Sequence, residues 1–268
     1  MSTRYSVTQC SATLCDVMGV PAPKEASPAI EEVNQYLLSD FSKADRLLVY
    51  NQDATGQWIF EKYRSWFSEW DHYAPKQVEM QTVMPSVTPV CFASIYSGLY
   101  PEKHGIQAYA KPNLTCETFF DVMPRAGKKV ALVAVADCSM ASIFLQRYID
   151  YFIRPTDEAC IQTALHLIEK DEYDVIVVYN MDFDHIMHQT TPESEESLAA
   201  LKRHTEDFIR LCRKAEACWK QHDTVVCSLT DHGIHTAETK NGPRGTHGTD
   251  MDEDLHIVHF YGKLPKSE

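Results

Sequence analysis

Nowhere in the sequence do about 18 apolar residues run together, the length a helix needs to cross a bilayer. Met1 to Ala22 carries Arg4, Asp16 and several other polar residues and no continuous apolar segment of the kind that directs secretion. Both absences predict a cytoplasmic protein without a membrane span. Positive charge is scarce too: 25 Lys and Arg stand against 38 Asp and Glu, a formal net charge of -13 and a pI near 5.3. A nucleic-acid scaffold would need a basic stripe to meet phosphate, and none is present. The nine cysteines are odd in number, form no C-x-x-C pair and sit mostly in apolar segments such as "TVVCSL". That pattern predicts reduced, buried thiols rather than a disulfide framework or a zinc cluster. No internal repeat, low-complexity tract or long linker divides the chain. With 268 residues, 44% of them hydrophobic, it suits one large α/β domain.

What is present is alternation. Short β-branched or apolar runs predict strands at Arg46 to Asn51, Gln77 to Met84, Lys129 to Val135, Asp174 to Asn180, Thr224 to Thr230 and Ile257 to Gly262. Uniformly apolar strands of this kind suit a sheet covered on both faces. Between them lie helical periods. Pro192 and Ser194 precede a long helix in which Leu198, Leu201, Phe208, Leu211, Cys212 and Trp219 recur at helical spacing. Thr156 is placed to cap "DEACIQTALHLIEK". Strand alternating with helix predicts a doubly wound, mainly parallel sheet with helices on both faces and no large cap domain. Residues 1–45 read as a helical segment packed on the core, with Val7, Cys10, Leu14, Val17 and Met18 on one stripe, and residues 46–268 as the domain proper.

In such a sheet, ligands bind at the carboxyl ends of strands. There the sequence gathers Asp53 after "RLLVYN", Asp184 and His188 in "MDFDHIMH" after "DVIVVYN", and Asp231-His232-Gly233 after "TVVCSLT", with His247 in "RGTHGT" before the last strand. Each has a plainer reading taken singly. Asp53 could cap a turn, Asp184 and His188 could be a solvated helix pair, and His247 could be a loop histidine. Asp231-His232 resists this, because two polar groups directly after an apolar strand need a ligand or a strong hydrogen-bond network. Together the six form a carboxylate and imidazole set suited to zinc or manganese. Three carboxylates and a Thr88 alkoxide carry four negative charges, which two divalent cations cancel.

Thr88 stands in "TVMPSVTPVCFASIYSGLYPEKHGI", where an extended run gives way to a helix. Its hydroxyl is a poor nucleophile until a metal or base takes the proton. Pro89 fits the first helical turn, whose free N–H groups favour an anion. Without the metal residues nearby, a plain helix cap would be the default role.

"MPSVTPVCFASIYSGLYPEKHGI", "DFDHIMH", "SLTDHGIH" and "GTHGTDMDEDLHIVHFYG" occur in the order of the motifs of the alkaline phosphatase superfamily, and they resemble its nucleotide pyrophosphatase/phosphodiesterase branch most. The resemblance runs from about Arg46 to Gly262. It implies two divalent metal ions, a threonyl-phosphate intermediate and hydrolysis of a phosphodiester or pyrophosphate bond in a small phosphoric ester. Asp53, Thr88, Asp231 and His232 would hold one ion, Asp184, His188 and His247 the other, with Thr88 as nucleophile. Three imidazoles favour zinc, with manganese the alternative. Arg244 in "GPRGTHG" is a candidate substrate clamp. Cys91 stands three residues after Thr88, where the branch usually has an Asn that donates to a phosphoryl oxygen; thiols donate poorly. Ala54 replaces a frequent Gly. Only "GIHTAETKNGPRGT" separates His232 from His247, where many relatives carry a long insertion. A phosphomonoesterase, sulfatase or phosphomutase, or a non-catalytic binding relative, are the alternatives.

Overall fold

A computed structural model of the chain describes residues 4–267. Residues 1–3 and 268, the outermost of the two expected segments, lie outside the described residues. The strands are β1 (Tyr5–Ser6), β2 (Arg46–Gln52), β3 (Lys76–Gln81), β4 (Val130–Val135), β5 (Asp150–Arg154), β6 (Val175–Asn180), β7 (Thr224–Thr230), β8 (His235–Thr239), β9 (Gly242–Thr246) and β10 (His256–Leu264). Eight form one sheet in the order β1-β3-β10-β7-β2-β6-β4-β5, and β8 and β9 form a separate hairpin. Only β10 opposes its neighbours β3 and β7; the other pairings in the large sheet are parallel.

The apolar strands are buried on both faces because successive side chains enter different cores. Leu47 and Val49 of β2, Val175 and Val177 of β6 and Val225 and Cys227 of β7 enter one cluster. Leu48, Tyr50, Ile176, Val178 and Val226 enter the other. Helices close both sides. The helix Thr88–Ser97 covers the first cluster, whereas Asp157–Lys170 and Glu195–Cys218 cover the second. Thr156 and Ser194 cap the latter two, accepting from the amides of Ala159 and Ser197 at 3.2 and 3.1 Å. The chain before Arg46 contributes helices Cys10–Val17 and Glu31–Leu37 as packing elements, and also β1, which pairs in parallel with β3.

The nine cysteines are free, seven of them buried and Cys116 and Cys218 half-buried. No helix among the described residues is long and apolar enough to cross a membrane. The carboxyl ends of β2, β6 and β7, adjacent in the sheet, define one edge at its centre. The loop from β3 to the helix Thr88–Ser97 crosses that edge, and the β8–β9 hairpin folds back beside it.

Candidate active site

The strand order brings residues far apart in sequence to this edge. Asp53 follows β2, and Asp231 and His232 follow β7; all three are buried, with exposures of 2% or less. Ala54 turns the chain through a left-handed conformation, φ 60°, which lets its amide donate to Asp231 Oδ1 at 3.2 Å. Asp184 lies on the short helix Asp182–Met187 after β6, and His188 closes that helix. His247 follows β9. Thr88 opens the helix Thr88–Ser97 behind an extended Val87, with Pro89 in the first turn.

All seven of these side chains converge. The ligand atoms of Asp53, Asp231 and His232 lie within 4.8 Å of one another, as do those of Asp184, His232 and His247. His188 Nε2 is 3.2 Å from His247 Nε2 and 3.4 Å from Asp184 Oδ1. Thr88 Oγ1 is 3.3 Å from His232 Nε2. The resemblance implies two separate groups; in the structure the ring of His232 borders both, stacked on His247 at 3.9 Å between centroids.

The histidines share one orientation. Nδ1 of His232 faces the Gly233 carbonyl at 3.0 Å, Nδ1 of His247 the Ser86 carbonyl at 2.8 Å and Nδ1 of His188 the Gly245 carbonyl at 3.1 Å. A carbonyl only accepts, so each Nδ1 carries a hydrogen and, in the singly protonated form, each ring turns its Nε2 lone pair inward. Lone pairs of His188 and His247 that face each other at 3.2 Å repel unless a proton or a cation lies between them. The carboxylates make the same demand. Asp53 Oδ1, Asp184 Oδ1 and Asp231 Oδ2 are buried without a hydrogen-bond donor. An orphaned buried acceptor costs about 1–3 kcal/mol, more when charged. Cations fit this donor set: inward imidazole nitrogens, outer-side carbonyls that fix each ring, and three unpartnered carboxylate oxygens.

The electrostatics agree. Burial, then the neighbouring carboxylates of Asp231 and Asp184, raises Asp53 well above the ordinary carboxylate range. Burial raises Asp231 to about 7 against the pull of the Ala54 amide. For Asp184 burial also acts upward but is outweighed by His188 and His247, which hold it below its usual value. Burial and the neighbouring His247 push His232 well down, keeping it neutral. His247 is raised, because Asp184 beside it overcomes burial. A proton on His247 and a cation in the cluster are therefore alternatives.

The two substrate-binding candidates sit differently. Cys91 is fully buried, with Sγ 4.0 Å from the Val83 carbonyl and its thiol raised mainly by burial. Arg244 donates to the carbonyls of His188 and Gln189 at 3.3 and 2.9 Å, tying the hairpin to the Asp184 helix. Tyr179 escaped sequence reading. It reads as one more apolar strand residue, yet its hydroxyl donates to Asp53 Oδ2 inside the core, beside the Phe92 ring. A surface cleft of about 470 Å3 lined by Trp66, Glu69, Lys202 and Arg210 shares no residue with this centre. Chemistry, not concavity, identifies the site.

The model of the family described as type I phosphodiesterase / nucleotide pyrophosphatase matches residues 75–114 and 117–258, about two thirds of the chain. Every site residue except Asp53 falls within that match; the sheet brings Asp53 to the other six. No curated protein matches in sequence. Among solved structures, phosphonoacetate hydrolase from Sinorhizobium meliloti 1021, in complex with phosphonoformate, is similar at 14% identity and a TM-score of 0.56, over 73% of this chain and 58% of that one. An inactive murine ectonucleotide pyrophosphatase / phosphodiesterase 5 in complex with AMP is similar at 16% identity and a TM-score of 0.56, over 74% and 59%. The chain thus spans about six tenths of the length of the structures it matches, and it shares their fold.

Proposed function

The chain belongs to the type I phosphodiesterase / nucleotide pyrophosphatase family, and from that premise we propose that it hydrolyses small phosphoric esters at this centre, with Thr88 as the nucleophile. The observation that carries the reading is the set of three imidazoles, each fixed by a backbone carbonyl, facing three unpartnered carboxylate oxygens around the Thr88 hydroxyl. Asp53, Thr88, Asp231 and His232 would hold one divalent cation, and Asp184, His188 and His247 the other. Zinc suits the imidazoles, with manganese the alternative. Bound there, the cations would offset the carboxylate charge, polarise a phosphoryl oxygen and favour the ionised threonine.

The chain's own groups account for the rest. Thr88 is buried at the start of a helix whose first turn keeps few free donors: Pro89 has no N–H and the Val87 carbonyl takes the amides of Val90 and Cys91 at 3.0 Å, which leaves the Thr88 amide itself to meet an arriving phosphoryl group. The side chain attacks phosphorus, the bond to the ester oxygen breaks, and a threonyl phosphate forms. Water then cleaves it and restores the hydroxyl. The solved neighbours were captured with phosphonoformate and AMP, which agrees with a small phosphorus-containing substrate. Arg244, engaged with two carbonyls, is not a free clamp for a monoester dianion. A diester or pyrophosphate bond is thus the proposed substrate class. Location in the cytoplasm is proposed on the nine free cysteines.

The test combines metal analysis of the purified protein with turnover of bis-p-nitrophenyl phosphate, p-nitrophenyl phosphate and p-nitrophenyl sulfate. About two cations per chain and a higher kcat/KM for the diester are expected. Preference for the monoester by tenfold would move the assignment to a phosphomonoesterase. Bound metal with no turnover of any ester would make the chain a binding relative.

A further inference from the structure

The helix that carries Asp184 and His188 is six residues long, and its cap residue, Met181, has no side chain that can accept a hydrogen bond from the first turn. Free amides at a buried helix start need partners. They receive one from another helix. Asp157, only 4% exposed, opens the helix Asp157–Lys170, and its carboxylate accepts from the amide of Met181 at 3.0 and 3.1 Å and from that of Asp182 at 2.8 Å. The same carboxylate meets Nε2 of His204 at 3.0 Å, a residue 1% exposed on the helix Glu195–Cys218. Just before the turn, Asn180 donates to Asp207 Oδ2 at 3.3 Å, and Asp207 is held by Arg210 at 2.6 Å.

We propose that Asp157, locked by His204, is a positioning residue for one half of the cation centre: it caps the Asp184 helix from outside and fixes where Asp184 and His188 point. The proposal rests on the two-cation reading given above. Its physical basis is the contrast in support. Asp53 and Asp231 follow strands paired on both sides, while Asp184 and His188 ride on less than two turns of helix. A helix this short does not hold itself in water. The buried carboxylate therefore supplies the order that length does not. Buried groups that orient metal ligands typically shift cation affinity by about 10- to 100-fold.

Zinc titration by calorimetry, with stoichiometry by elemental analysis, separates the outcomes. Wild type should bind about two ions. Asp157→Asn should keep one at wild-type affinity and weaken the other by about 10- to 100-fold. Excess zinc should restore its kcat, which a general loss of folding would not allow. Hydrogen exchange should quicken at Met181 and Asp182 and remain slow in β2 and β7. Should Asp157→Asn not fold, His204→Leu, which keeps the carboxylate and removes its partner, should show the weaker form of the same split. His204→Gln, which retains an N–H donor, should recover it. If wild type binds no cation, the functional reading fails. If wild type binds two and these variants bind both with unchanged affinity, the positioning role is overturned while the functional reading stands.

Discussion

The two halves of the proposed cation centre are built from different materials. Asp53, Asp231 and His232 extend from the ends of central parallel strands and are sealed from solvent, with a buried Tyr179 hydroxyl and the Ala54 amide as neighbours. Asp184, His188 and His247 come from a six-residue helix and a hairpin return, and the His188 side chain is 40% exposed. Strand ends held by ladders on both sides cost little to preorganise. The second half depends on contacts between separate elements: Arg244 to the carbonyls of His188 and Gln189, His188 to Gly245, and His247 to Ser86. One half is a product of the sheet. The other is assembled on it, and it is the half open to solvent.

The largest expected effect removes what both halves serve. Thr88→Ala should lower diester turnover by several orders of magnitude with two cations still bound and the melting temperature within a few degrees of wild type. Turnover near the wild-type level would end the covalent mechanism.

Chelation probes the halves together. Stripping cations leaves three buried carboxylates facing one another, so activity should vanish and stability should fall by about 4 kcal/mol per site, about 8 kcal/mol for two, if zinc had been present at a thousandfold excess over each dissociation constant. The exposed half should respond first: hydrogen exchange at the Asp184 helix and the β8–β9 hairpin should accelerate before any change in β2 or β7. Uniform acceleration would erase the distinction between the halves.

Acid attacks the strand-end half. His259, fully buried in β10 with Nε2 2.7 Å from the Thr230 carbonyl, is lowered to about 4 by burial, which the carbonyl opposes. Its unfolded form takes up a proton near 6.5 and its folded form only near 4. The unfolded state therefore binds more protons in between, and stability present above about pH 6.5 should be lost as pH falls towards 4. One fully buried imidazole with that shift contributes up to about 3 kcal/mol. In chelated protein the raised Asp53 and Asp231 pull the slope the other way, so the His259 contribution is read by difference: from pH 7 to 4 the melting temperature of wild type should fall relative to that of His259→Phe. An equal slope in the variant would assign the loss elsewhere.

The smallest effect lies at Ala54. Its φ of 60° is a conformation glycine adopts without strain, and the amide it orients reaches Asp231. Ala54→Gly should raise stability by about 0.5–1 kcal/mol, less what the lost buried methyl contributed, without altering cation binding. A loss of cation affinity would show that the methyl, not the backbone, shapes the turn.

The sheet and the polar cluster at its edge were legible for the same reason. Strands buried on both faces must be apolar throughout, so Asp231 and His232 after "TVVCSLT" stand out sharply, and the seven side chains expected at the strand ends lie together in the structure. Elements without that contrast were not legible. β5 reads "DYFIR", a half-exposed edge strand with charges at both ends, and the segment between His232 and His247 reads as a loop where the structure has the hairpin of β8 and β9. Nor could the direction of Cys91 be read. Every residue of the helix Thr88–Ser97 is buried, so no polar face marks which side of the helix looks at the site. Tyr179 and Asp157 were hidden in another way: their partners lie on other elements, and periodicity carries no record of distant contacts.

The hairpin beside the centre has a consequence for how such a chain can change. Its stem is fixed where Gly245 passes the Asp184 helix, since a β-carbon there would meet the Met187 sulfur at 2.2 Å and the Met187 carbonyl oxygen at 2.8 Å. Its tip, Lys240 and Asn241, is exposed and turns through Gly242 in the left-handed region, with open space around it. Stem and tip therefore answer to different constraints. The stem cannot accept bulk, whereas the tip can accept length, because adding residues there lengthens a surface loop at small entropic cost and leaves both strands paired. The tip is the natural graft point, where a new recognition surface, a reporter or a whole domain can be spliced without disturbing the stem that packs on the Asp184 helix.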